Sequence, residues 1–427
     1  MSSPLAEARA ALAAGDQPAA EGILAGFVAE EFDLPVARLE IRRDGYSLNS
    51  VNGFIDASDG RRFFFKFHQE EGEEATVEEY YRAELLAEAG YRVDKPAYVC
   101  RQVGRQILLY PARDTPRFAD VCKQHEFDRD PAVLQPLVEA QRDLDRLVAE
   151  RTIASLHWAE RADYAAEPVL QLFVWRLVDA KSDRQLGGRV GRFYADRTLE
   201  FPGVSGSARE LRRLHWRING RHYPASLDDL FARALQVLRP ESVDRYPAVI
   251  AHGDAHNANV WYGSDGLSWF DPAFAGRHVP ALLAEIKATF HNILAHPLWL
   301  YHPQEADGRL DATARRDGDV LVVDHDWSPT PLRRAFLDSK VEHYWRPVLA
   351  ELRDRGMLPD NWQQVMRLAL FCCPTLVMNL SAGCGMGAAV HTPRTSLVGL
   401  AIAIMCGTAP TGGEDELSAF FRAIAPA

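Results

Sequence analysis

The sequence predicts an α+β chain in which a small five-stranded lobe precedes a large, mainly helical one. Three observations lead there. Between residues 37 and 112 the apolar residues fall in short runs bounded by Gly, Asp and Pro, as strands do. One helix-length run interrupts them, after the third strand. Beyond residue 112 apolar residues recur at three- and four-residue spacing, the signature of helix faces.

Taken in order, residues 4–32 read as helix with a break at "GDQP", so that residues 1–36 form an N-terminal helical extension. "VARLEI", "SVNGFIDA" and "RFFFKFH" then form a meander, with a hairpin signal at Asp59-Gly60 between the last two. "EEATVEEYYRAELLAEAG" (73–90) follows as a helix ended by Gly90. "KPAYVCRQVGRQILLYPA" adds two strands around a turn at Gly104 and completes a lobe over 37–112. The second lobe spans 113–427. Its helices are expected in "DPAVLQPLVEAQRDLDRLVAERTIASLHWAE", "EPVLQLFVWRLVDAK" and "SLDDLFARALQVL". The insert at 186–216, rich in Gly and Arg, reads as a loop or lid whose Arg189 and Arg192 meet solvent. Short strands return at "AVIAHG", "NVWYG" and "LSWFD", and "DGDVLVVDHDW" is expected to pair with "PLWLYHPQE" as a hairpin. A C-terminal helical extension ends the chain.

Composition narrows the partners. The 427 residues carry a net charge of −11 and no Lys/Arg block of binding size, which argues against nucleic acid. None of the six cysteines sits in a CxxC pair, so they read as buried thiols in a reducing, cytoplasmic setting rather than zinc ligands. The N-terminus has no basic start followed by an apolar core, and so reads as no secretion signal. Residues 368–390 are long and apolar enough to cross a bilayer, but Pro374, Asn379 and the Gly and Ser residues near the end fit a buried helix and a loop.

The chemistry concentrates in "IAHGDAHNANV" (250–260), a polar turn between two apolar strands. Asp254 and Asn259 lie five positions apart on it, and Asp271 ends the next apolar strand twelve residues past Asn259. Two strand ends so bring a carboxylate, an amide and a second carboxylate to one rim. Phosphoryl transfer from ATP needs such a set: one Asp near the acceptor hydroxyl, and oxygen ligands for Mg²⁺. Lys66 is a lone lysine in the apolar strand "FFFKFH". Glu79, on the helix that follows, is the candidate to hold it, with Glu78 and Glu84 as rivals. "GYSLNSVNG" (45–53) is suited to cover phosphates with backbone N–H groups.

These segments resemble the aminoglycoside phosphotransferase and choline kinase group of kinase-like small-molecule kinases. "HGDAHNAN" is similar to that group's His-Gly-Asp-x-His-x-x-Asn loop, "WFDPAFAG" to its metal-binding segment, and "FFFKF" and "EYYRAELLAEAG" to its nucleotide lysine and glutamate. The resemblance spans about residues 37–295. It implies a two-lobed protein-kinase-like fold with ATP and Mg²⁺ as cofactors. Asp254 would be catalytic, Asn259 and Asp271 metal ligands, Lys66 the phosphate contact and Glu79 its partner. Ser47 would meet the nucleotide phosphates, Leu109 and Tyr110 in "ILLYPA" would form the hinge that reads adenine through backbone groups, and His252 and His256 would be structural. Two departures stand out. Ala273 replaces a second acid near Asp271, and Glu285 stands in for an aspartate in the next helix. The implied activity is transfer of the γ-phosphate to a hydroxyl of a small molecule such as an antibiotic, sugar, amino alcohol or secondary metabolite. Two other readings stay open: a nucleotide-binding protein of this fold without transfer activity, and a metallohydrolase using His252, Asp254 and His256.

Overall fold

The computed structural model describes residues 3–42, 50–68, 82–178, 187–195, 197–381 and 391–426. Its first sheet is antiparallel, built from β1 (Val36–Arg42), β2 (Ser50–Ala57), β3 (Arg62–His68), β4 (Tyr98–Cys100) and β5 (Ile107–Pro111) in the order β1-β2-β3-β5-β4. Strand alternation gives β3 two different faces. Phe63, Phe65 and Phe67 point to one side with Ile55 and Leu109, and there they meet Leu24, Phe27 and Val28 from the helix Gln17–Phe32. Each such buried aromatic contributes roughly 2 kcal/mol through the area removed from water. Phe64 and Lys66 point the other way. Lys66 lies between Asn52 on β2 and Leu108 on β5, its cross-strand neighbours in the register.

The N-terminal helices are stapled down at both ends. Ser3 caps Pro4–Ala13 by accepting the Leu5 amide, and Asp16 caps Gln17–Phe32 by accepting the Ala19 amide at 3.1 Å. Arg105, in the turn between β4 and β5, pairs with Glu31 at 2.9 Å and lies over the Phe27 ring.

The larger region starts with the helices Phe118–Asp128 and Pro131–Ala154, the second buried along Leu137, Leu144 and Val148. The expected helical run then breaks: Ser155 caps it, and β6 (His157–Glu160) follows. Nor is the insert a loop. Among its described residues are the helix Arg189–Tyr194 and a hairpin of β7 (Thr198–Phe201) and β8 (Val204–Ser207). Arg189 is buried and donates to the Leu376 carbonyl at 2.8 Å, so it does not solvate a loop; Arg192 is exposed. β9 (His215–Ile218) and β10 (Arg221–Tyr223) join through Asn219 and Gly220, both at positive φ (47° and 80°), which suits the tight turn of a two-residue hairpin.

β11 (Arg245–Ala251) is the middle strand of β14-β11-β6, with β14 at Gly276–Pro280; β12 (Val260–Gly263) and β13 (Gly266–Trp269) form a separate hairpin. The expected pairing of 317–327 with 297–305 does not occur. β16 (Val320–His325) pairs antiparallel with β15 (Ala312–Asp317) and parallel with β9, while residues 303–307 are helical. The apolar stretches near the C-terminus form the helices Trp362–Val377 and Pro393–Gly407, which pack on each other. No helix among the described residues is long and apolar enough to cross a membrane. Five described cysteines are buried and free.

A charged cluster lies inside this region. Lys340 is 2.5 Å from Asp145 and 2.9 Å from Glu285, all three buried, and Ser339 and Gln141 also donate to Asp145. Burial pushes the Glu285 carboxyl above its ordinary value, and Lys340 opposes that. Removing one member leaves an uncompensated charge in the core, so Lys340→Met should lower unfolding stability by about 3 kcal/mol or more. Urea denaturation reads this directly; an unshifted midpoint would mean that the cluster is hydrated and indifferent.

Candidate functional site

β11 runs out at Ala251, and the chain turns at once. Gly253 has φ +77°, and a Cβ there would sit 2.4 Å from the Phe274 carbonyl oxygen. Both the backbone angle and the close approach require glycine. His252 fixes the turn from the other side. Its Nε2 donates to the Phe270 carbonyl at 3.0 Å and its Nδ1 accepts the Asp254 amide at 3.4 Å, with tautomers assigned from these partners. Both ring nitrogens thus have partners within the turn. Gly253→Ala should therefore lower stability by more than about 1 kcal/mol. Thermal unfolding checks this, and wild-type stability would place the loop elsewhere.

Past the turn, a short helical turn at Asn257–Asn259 presents Asn259 back to the loop. Its Nδ2 donates to the Asp254 carbonyl at 2.9 Å, and its own carbonyl accepts the Phe270 amide at 3.0 Å. The amide nitrogen is thus engaged, and the oxygen is the end of this side chain suited to a cation.

Asp271 follows β13 with φ +56°, a left-handed conformation that Asp adopts more readily than most residues but still at a cost. There its carboxylate lies in direct ionic contact with the Lys66 ammonium. The strand lysine and the loop aspartate so meet across the gap between the first sheet and the β12–β13 hairpin. Beside them Leu108 and Tyr110 pack on Ala273, with Phe64 and Phe274 around them. Ala273, one of the two departures in the sequence, supplies apolar contact here.

The two regions are also joined along residues 91–94. The Trp269 amide donates to the Arg92 carbonyl at 2.7 Å and the Asp94 amide to the Trp269 carbonyl at 2.8 Å, the Trp261 indole donates to the Asp94 side chain, and the Tyr91 hydroxyl donates to the Ile250 carbonyl. The segment leading into β4 is thereby tied both to β11 and to the β12–β13 hairpin.

Asp254 itself is mostly enclosed. Its Oδ1 is 3.4 Å from the Lys287 ammonium and its Oδ2 is 3.7 Å from His256 Nε2. Oδ1 is buried, and the Lys287 ammonium is its charged neighbour. Burial alone would raise the Asp254 carboxyl. Lys287 first, then His256, His252 and Arg176, more than offset it and hold the group below its ordinary value. Burial also pushes His256 down to about 4, so that ring is neutral at physiological pH. Asp254 is an ionised carboxylate facing neutral imidazole and one buried ammonium.

Of the expected residues, the structure brings Lys66, Asp254, Asn259, Asp271, His252 and His256 to one region. It does not bring the Leu109 side chain there. That side chain is fully buried on the opposite face of the sheet, and the Leu109 carbonyl accepts the Ala97 amide at 2.8 Å; Tyr110 faces the cleft. Glu285 is engaged with Lys340. Ser47 and Glu79 lie outside the described residues. Lys287 escaped sequence reasoning, although a signal was present: it is a lone lysine in the apolar run "ALLAEIKATF", the same anomaly that singled out Lys66.

No family model matches the chain, and no curated protein is detectably similar to it in sequence. Its structure is similar to that of a spectinomycin phosphotransferase in complex with ADP and spectinomycin, at 11% identity and a TM-score of 0.38, covering 90% of this chain and 98% of that one. It is also similar to a glucosamine kinase, at 12% identity and a TM-score of 0.36, covering 89% of this chain and 96% of that one. A putative fructosamine-3-kinase from Thermobifida fusca matches at 15% identity and a TM-score of 0.35, covering 90% and 98%.

Proposed function

We propose that the chain is an ATP- and Mg²⁺-dependent phosphotransferase of two-lobed, protein-kinase-like architecture that phosphorylates a hydroxyl of a small molecule. Residues 37–112 form its nucleotide lobe and 113–427 its catalytic and acceptor lobe, with residues 1–36 as an N-terminal extension. The observation that carries this reading is the meeting of Lys66, from a strand of the first sheet, with Asp271 beside the loop that holds Asp254 and Asn259. An ammonium, two carboxylates and an amide oxygen from independent elements form a set with little use in a packed core and a direct use around phosphates.

Asp271 and Asn259 offer oxygen donors, the type that Mg²⁺ prefers, and two protein ligands suffice for an ion that keeps several waters. When bound, the ion would neutralise charge on the transferring phosphate. Lys66 would contact the nucleotide phosphates, with Glu79 holding it and Ser47 covering them. Tyr110, Leu108 and Ala273 give an apolar wall for the base, and the 107–112 strand would supply the hinge. Asp254 would accept a hydrogen bond from the acceptor hydroxyl, orient it, and take its proton as transfer completes. A carboxylate held below its ordinary basicity suits that role, because a loose transition state asks for positioning more than for strong base.

The test is release of ADP from MgATP by the purified chain, screened over hydroxylated sugars, amino alcohols and antibiotics. Acceptor-stimulated ADP release with a phosphorylated product supports the reading. Tight MgADP binding with no acceptor-dependent turnover would instead indicate a nucleotide-binding protein that transfers nothing.

A further inference from the structure

The scheme just given needs a cation on the donor side, and Lys66 supplies it. It does not call for Lys287. That residue arrives from a different element, the short helix Ile286–Thr289, and is 3% exposed. Its Nζ stands 3.4 Å from Asp254 Oδ1. Taking an ammonium out of water costs several kcal/mol unless a partner offsets it, so packing alone would favour Leu or Met at this place. The two oxygens of Asp254 are also unlike. Oδ1 is buried on the Lys287 side, whereas Oδ2 has the His256 ring at 3.7 Å, too far for a hydrogen bond.

We propose that Lys287 is a positioning residue for phosphoryl transfer: it holds Asp254 by Oδ1 and so leaves Oδ2 to the acceptor hydroxyl. The inference rests on the phosphotransferase reading. In the step it serves, the acceptor oxygen forms a bond to the γ-phosphorus while the bond from that phosphorus to the β,γ-bridging oxygen breaks. The electron pair of the broken bond leaves with ADP, and the hydroxyl proton passes to Asp254 Oδ2. A carboxylate free to rotate would present either oxygen, or turn toward solvent, and the hydroxyl would be aligned for only part of the time.

The experiment compares wild type, Lys287→Met, Lys287→Arg, Asp254→Asn and the Asp254→Asn/Lys287→Met double variant. It measures ADP release from MgATP, with water or a responding alcohol as acceptor, together with MgADP affinity by calorimetry and the melting temperature. Lys287→Met should lower kcat by about thirtyfold while KM for ATP and MgADP affinity stay within about twofold, because the nucleotide side is untouched. Lys287→Arg should recover part of the loss, and Lys287→Met placed on Asp254→Asn should cost no more than about twofold further, since both act through one carboxylate. Wild-type kcat in Lys287→Met would overturn the inference. So would a loss that multiplies fully with that of Asp254→Asn, or one matched by an equal loss of MgADP binding and folded fraction. A wild-type chain that releases no ADP at all would overturn the phosphotransferase reading first, before any variant is compared.

Discussion

Asp254→Asn should lower turnover by about a thousandfold, the usual size of a lost general base or hydroxyl-orienting group. The substitution keeps the shape and removes the charge. MgADP affinity should change little, because the contacts proposed for nucleotide lie at Lys66, Asp271 and the 107–112 strand. The melting temperature should fall as well, since Lys287 stays buried 3.4 Å from a side chain that no longer carries a charge. Steady-state ADP release, calorimetric titration and thermal unfolding together read the three effects. Turnover within a few-fold of wild type would remove Asp254 from the chemistry and return the loop to a structural turn.

Lys66→Met should produce the complementary pattern. The methionine keeps the apolar stem of the lysine between Asn52 and Leu108 but takes away the ammonium that meets Asp271. Without it the nucleotide phosphates lose a cation, so KM for ATP should rise and kcat fall together, with kcat/KM down by about a hundredfold or more. MgADP affinity should drop as well, which separates this variant from Asp254→Asn. Stability should change modestly, since the Lys66–Asp271 pair is partly open to solvent, which screens part of its attraction. Unchanged nucleotide affinity would mean that Lys66 and Asp271 form an ordinary ion pair of the fold.

Much of this was legible from local pattern, and the failures have a common physical cause. β2 and β3 match the segments expected for them because each is a short apolar run bounded by its own turn residues. The helix Leu227–Leu238 was legible for a similar reason: Ser226 and Asp229 form a capping box ahead of an apolar stripe. β6 was hidden because His157–Glu160 pairs with Arg245–Ala248, far along the chain, and nothing local marks the change from helix to strand. β16 read as a strand, but its partners were misplaced. Its parallel neighbour β9 joins at long range, and the Asn219-Gly220 turn that announces the β9–β10 hairpin passed unread. At the site, Asp254, Asn259 and Asp271 stood out because polar residues crowded the ends of apolar strands. Lys287 did not, because its meaning depends on which loop its helix meets.

The first thirty-odd residues have a practical bearing on how this protein is handled. Leu24, Phe27 and Val28 cover the face of the sheet opposite Lys66, including Phe65 and Leu109. A fragment trimmed to begin at Val36 would bare an oily surface on the very strands that carry Lys66, and such surfaces drive self-association. Expression boundaries chosen to shed the leading helices as a dispensable tail should yield aggregates, whatever becomes of the turn at 252–259.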